Sequence, residues 1–177
     1  MLNDAESTKS SRPDVPRYFR VACHFWSDEK VVTWPDPLKV LALYLLTTKH
    51  RTLEGFFVLP PQYIAADMGW PLRRVLDTLT KLEAQGFVRF DPKTNLILIR
   101  NALGYQQPDS KNVQKAVISR VRGLPDNQEL LTEFLALARA HCARSGLSPF
   151  SQSLPDLLER EFRPVLNERQ EVARRVV

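Results

Sequence analysis

Phe19, Val21, Cys23 and Phe25 alternate with Arg20, Ala22 and His24. This two-residue period predicts a strand with one buried face. Asp36-Pro37 then offers an N-cap before a first-turn proline, and the LKVLALYLLT run behind it is apolar on nearly every side. That is the signature of a helix in the middle of a core. GFFVLP, aromatic and β-branched between Gly55 and Pro60, predicts a strand. PQYIAADM, residues 61–68, predicts a short helix with Ile64, Ala65 and Met68 inward and Gly69 as its stop. Pro71 restarts a helix through LRRVLDTLTKLEAQ to Gly86, and FVRF and NLILI flank a turn over Asp91–Asn95, a β-hairpin signal.

Beyond Pro108 the pattern is helical. Asp109 or Ser110 caps a helix from Lys111 to about Arg122, ended by Gly123 and Pro125. Another runs from about Gln128 to Ala143, with Leu130, Leu131, Phe134, Leu137, Ala138 and His141 at helical spacing. Residues 1–16 are polar and read as a disordered arm. Residues 145–177, opening on SGLSPFSQSLPD, read as a linker and flexible tail, with room for a short helix near Leu157–Phe162.

The order from Asp36 to Ile99 is thus helix, strand, helix, tight glycine turn, helix, hairpin. Ala65, Gly69, Val75 and Leu79 match a helix-turn-helix: a small residue for close crossing, a glycine for the turn, apolar residues to lock the second helix down. A hairpin directly after the second helix makes it a winged helix. The expected fold class is α+β, mainly α: a winged helix-turn-helix domain over residues 17–108, a helical extension over 109–144 and C-terminal residues beyond.

Composition and charge refine this picture only locally. The chain of 177 residues is 44% hydrophobic and 25% charged, suited to one soluble domain with extensions. Its net charge of +5 is spread, with 14 basic to 11 acidic side chains in residues 1–108 and 11 to 9 in residues 109–177. Such a surplus permits a nucleic-acid partner without demanding one, so the faces matter. On the second helix of the motif, Leu72, Val75, Leu76, Leu79 and Leu82 gather into one stripe opposite Arg73, Arg74, Asp77, Lys81 and Gln85. Arginine and glutamine suit base edges, and Lys or Arg suits phosphates. Arg89 and Lys93 sit on the hairpin, with Arg100 just beyond. Lys111, Lys115 and Arg122 form a second basic line on the following helix, opposite Val113, Val117, Val121 and Leu124. The plainer reading is a solvated face: Asp77 stands four residues from both Arg73 and Lys81, the spacing of ordinary surface ion pairs, and repels phosphate.

Other chemistry is not expected. The longest apolar run, Val40–Leu46, is far below the roughly 20 residues that span a bilayer. The N-terminus has no hydrophobic stretch to serve as a secretory signal, and two cysteines separated by 118 residues form no disulfide framework, so a cytoplasmic protein is expected. Cys23-His24 and His141-Cys142 mirror each other, but adjacent residues diverge on a strand or helix, so no metal site is expected and Cys23 is expected to be buried. The six glycines form neither GxGxxG nor GxxxxGK. No cofactor and no catalytic set is expected. Trp26, Trp34 and Trp70 suit packing more than base stacking, with Trp70 capping the helical core.

Ordered marks along the chain carry a resemblance: Phe25-Trp26-Ser27-Asp28, Leu43-Tyr44-Leu45-Leu46-Thr47, Gly55 through Pro60, Tyr63-Ile64-Ala65, Gly69-Trp70 and Leu82-Glu83-Ala84-Gln85-Gly86. Residues 18–124 resemble the N-terminal winged-helix domain of bacteriophage and prophage replication-initiation proteins, the replisome organisers and DnaD-like primosome proteins. Beyond Asp126 the YxxxW-like signature of the DnaD C-terminal domain is missing. The resemblance implies origin or single-strand DNA binding and recruitment of a replicative helicase or helicase loader, with no catalytic residue. Two other readings keep the fold: a transcriptional regulator on a two-fold operator, and a protein-interaction or homo-oligomerisation module.

Overall fold

The structure is a computed structural model that describes residues 19–142 and 144–175; the expected N-terminal arm and Ala143 lie outside them. It is mainly helical, with one small sheet. In order, the elements are α1 (Glu29–Thr33), α2 (Asp36–Thr47), β1 (Phe56–Val58), α3 (Pro61–Met68), α4 (Leu72–Ala84), β2 (Val88–Asp91), β3 (Leu96–Ile99), α5 (Ala102–Tyr105), α6 (Lys111–Arg122), α7 (Gln128–Cys142) and α8 (Pro149–Arg175). The strands run β1-β3-β2, both pairs antiparallel, with Phe57 opposite Ile97 and Phe90 opposite Ile97 from the other side.

All four residues of β3 are buried. Alternation sends them into two cores. Ile97 and Ile99, with Phe57 and Val88, pack against Leu41 and Leu45 of α2, Ile64 of α3 and Val75, Leu79 and Leu82 of α4. Leu96 and Leu98, with Phe56, pack against Val117 of α6, Phe134 of α7 and Leu154, Leu158 and Phe162 of α8. A sheet covered on both faces explains why NLILI is a continuous apolar run rather than an alternating one. No described helix is long and apolar enough to cross a membrane.

Local signals explain most boundaries. Gly69 takes φ +63° and ends α3, its backbone N–H reaching the Ala65 and Ala66 carbonyls. Ser110 caps α6 by accepting from the Val113 N–H at 3.4 Å. Asn95, at φ 57°, turns the hairpin.

Two expectations are corrected. The segment around Cys23 is a 3₁₀ helix, Cys23–Ser27, with Phe25 N–H donating to the Ala22 carbonyl at 3.0 Å, and not a strand. The alternation is genuine, but among the described residues no strand lies alongside to accept it. Asp28 instead caps α1 by accepting from Lys30 and Val31 N–H groups at 2.9 and 3.2 Å. In consequence Cys23 is exposed rather than buried, and Cys142 is the buried thiol.

The second correction is α8, which replaces the expected linker and tail. Leu154, Leu158, Phe162 and Leu166 repeat every four residues and are buried. Pro155 and Pro164 lie inside the helix and masked that stripe. Each proline removes a backbone hydrogen bond at a cost of about 3 kcal/mol, and four buried large side chains at roughly 1.5–3 kcal/mol each offset it. The start is fixed by Ser148, whose Oγ accepts from the Ser151 N–H at 3.1 Å.

Candidate nucleic-acid interface

The face of α4 differs from the one a simple wheel places inward. Val75, Thr78, Leu79 and Leu82 are buried, whereas Leu72 and Leu76 are exposed on the flank. The buried arc is therefore rotated towards Thr78, whose hydroxyl donates to the Arg74 carbonyl at 2.6 Å and so needs no outside partner. What remains outward is Arg73, Arg74, Asp77, Thr80 and Lys81.

Arg73 is almost fully in solvent, its side chain 94% exposed, and approaches Asp77 only at 4.0 Å. A pair that long and that wet contributes little. Arg74 lies with its guanidinium carbon 4.0 Å from the centre of the Trp70 ring. The stack holds the cation at the turn and leaves its edge donors available. Trp70 itself is half-buried against the α2–α4 core, as expected of it. Across a shallow groove, Pro35, Pro37 and Leu38 face Pro71, Arg73, Arg74, Asp77, Thr78 and Lys81. Lys93, in the hairpin turn, is exposed.

The other expected contacts are placed differently. Arg89 is held by three carboxylates, Glu83 at 3.0 Å, Glu129 at 2.6 Å and Glu133 at 3.1 Å. Its pKa is raised, chiefly by the hydrogen bond to Glu129, against partial desolvation. Arg100 donates from Nε to Glu133 at 2.6 Å. These two arginines tie the hairpin to α7, and their charge is neutralised there. Gln85 accepts from the buried Trp34 indole N–H at 3.3 Å, so its carbonyl is committed inward. Lys111 and Lys115 are exposed, but α6 packs on the opposite face of the sheet from α4. Their line does not continue the α4 face. Arg122, third in that line, is bound to Glu161 of α8.

Two features were missed from the sequence. The Trp70–Arg74 stack has a local signal, an aromatic four residues before an arginine across a helix start. Buried Arg51, 4% exposed, has none, because nothing in a lysine- and arginine-rich loop distinguishes the residue that turns inward. Among the described residues no group of three or more His, Cys, Asp or Glu gathers to hold a metal ion.

Compared with protein-family models, curated proteins and solved structures, the chain finds no match.

Proposed function

We propose that this chain is a DNA-binding protein of phage or prophage type acting in replication initiation, with α3, the Gly69 turn, α4 and the β2–β3 hairpin working as a winged helix-turn-helix. One observation carries the reading: Arg73, Arg74 and Lys81 stand together on the outward face of α4, opposed there only by Asp77. The helix follows a left-handed glycine turn and precedes a hairpin. In this reading α4 enters the major groove, where arginine forks pair with base edges, and Lys93 meets a phosphate beside it. Arg89, Arg100 and Gln85 support the frame rather than the DNA. A helicase or helicase loader is the expected protein partner, and the chain supplies no catalytic group of its own.

Fluorescence anisotropy on duplex, forked and single-stranded DNA tests this. Replacing Arg73, Arg74 and Lys81 by Ala should weaken binding and flatten the salt dependence by about 0.9 per lost duplex phosphate contact. Unchanged affinity would remove the surface. Selection of a two-fold symmetric site from random duplexes would point to regulation instead of replication.

A protein-interaction module is the second reading, and the exposed Leu72 and Leu76 beside the cationic face favour it. A stable oligomer with no DNA binding at low salt would decide for it.

A further inference from the structure

A cleft distinct from the α4 face lies between residues 20–34, the end of α2 and the turn that follows α4. Its cavity volume is about 100 Å³, and its lining includes Arg20, Asp28, Lys30, Arg51, Gln85 and Asn101. Arg51 is the unusual member. It is 4% exposed, and among the described residues no carboxylate pairs with it. One amino group donates to the Leu46 carbonyl at 2.8 Å, closing the end of α2. The guanidinium carbon lies 4.8 Å from the centre of the Phe19 ring. Its Nε is buried with no hydrogen-bond partner among the described residues.

Capping one carbonyl needs one neutral donor and does not explain burying a whole guanidinium with an N–H unsatisfied. Elsewhere the same fold treats a charge beside buried structure differently: Arg120 meets the fully buried Glu54 carboxylate in two parallel hydrogen bonds of 2.9 and 2.8 Å. The cleft also collects cations without matching anions. Among the described residues Arg20, Lys30 and Arg51 line it against Asp28 alone, and the Asp28 carboxylate is already committed to capping α1. Val21, Leu46 and Phe87 supply an apolar wall, and at the edge the His24 Nε2 and Tyr105 hydroxyl lie 3.2 Å apart.

We propose that this cleft is a binding site for a small phosphomonoester carrying an apolar or aromatic body. A phosphomonoester brings close to two negative charges at pH 7 and several acceptor oxygens. That matches a surplus of two cations over the one carboxylate among the described lining residues, and charge-assisted hydrogen bonds to such oxygens are the strong ones. The apolar wall takes the body of the ligand, as in most small-molecule sites. Burial weakens Arg51's hold on its proton, lowering its pKa to about 10, and a bound dianion restores it.

Calorimetric titration of the full chain with phenyl phosphate, inorganic phosphate and phenol tests the proposal. Phenyl phosphate should bind more tightly than phosphate, and phenol should give no saturable heat. Arg20→Ala and Lys30→Ala, both at exposed positions, should each weaken phenyl phosphate by about tenfold, the worth of one charge-assisted contact. Arg51→Met should abolish binding, and Arg73→Ala with Arg74→Ala should leave it unchanged. No binding of phenyl phosphate up to about 10 mM, a range that captures even fragment-sized ligands, overturns the site. So does equal affinity in the Arg20 and Lys30 variants, or a loss caused equally by the α4 variants.

Discussion

Removing Arg120 tests the most deeply buried charge among the described residues. Glu54 sits at the entry to β1 with its side chain fully buried, and its two oxygens accept from Arg120 of α6, whose side chain is 39% exposed. That hydrogen bond is also the main reason Arg120's pKa is raised. Arg120→Ala leaves a carboxylate in the interior without a partner. Breaking a buried pair in this way costs about 3–5 kcal/mol, and the partial exposure of Arg120 places the loss near 3. For a chain of this size that corresponds to a fall in melting temperature of roughly 6–12 °C. Glu54→Gln should cost less, about 1–2 kcal/mol, because Arg120 can turn to water and the amide still offers one acceptor. Urea unfolding followed by circular dichroism gives both values. A loss below about 1 kcal/mol for Arg120→Ala, or a larger loss for Glu54→Gln, would refute the reasoning.

Other outcomes follow from the same geometry. Gly55 and Gly69 share a left-handed backbone, but a Cβ on Gly55 would lie 2.3 Å from the Ala102 Cβ while one on Gly69 meets nothing within 4 Å. Gly69→Ala should therefore cost about 1 kcal/mol from backbone strain, and Gly55→Ala at least twice that, by the same unfolding assay. Asp77→Asn removes the one carboxylate from the α4 face and should tighten DNA binding several-fold at low salt; a weaker complex in anisotropy would count against the face. Exposed Cys23 should react with a thiol reagent at pH 8, while burial pushes Cys142 up to about 11 and should hold it inert until denaturant is added. Burial, followed by the charge of Arg144, lowers the His141 pKa below its unfolded value. A depressed pKa means that the unfolded chain binds the extra proton first, so this contribution is present above about pH 6.5 and is lost as pH falls below it. His141→Gln should flatten the stability profile between about pH 5 and pH 7.

What could be read from the sequence was whatever its neighbours decide. Gly69 and Pro71 fix the break between α3 and α4, and Ser110 fixes the start of α6, because capping and turn chemistry act within four residues. The hairpin was legible for the same reason. Failures came where the deciding partner is distant. Arg89 and Arg100 look like free wing cations until Glu129 and Glu133, some 33 to 44 positions later, close on them. The Phe19–Phe25 alternation needed a neighbouring strand that the described residues do not supply. Helix α8 was hidden by two prolines whose cost only the second core offsets, and that core takes residues from Phe56 to Phe162. Thr78 reads as polar, yet its own helix satisfies its hydroxyl, which turned the α4 face by part of a turn.

The two-sided burial of β3 has a consequence for the order in which the molecule is made. Everything needed to cover one side of the strand has been synthesised once Ala102 is added. The other side, Phe56, Leu96 and Leu98, waits for Leu154, Leu158 and Phe162. Nascent chains that end between these points carry a greasy sheet surface into the cell. Fragments cut near Pro108 should therefore precipitate or recruit chaperones, and any helper that shields this sequence during translation has to stay until the last helix arrives.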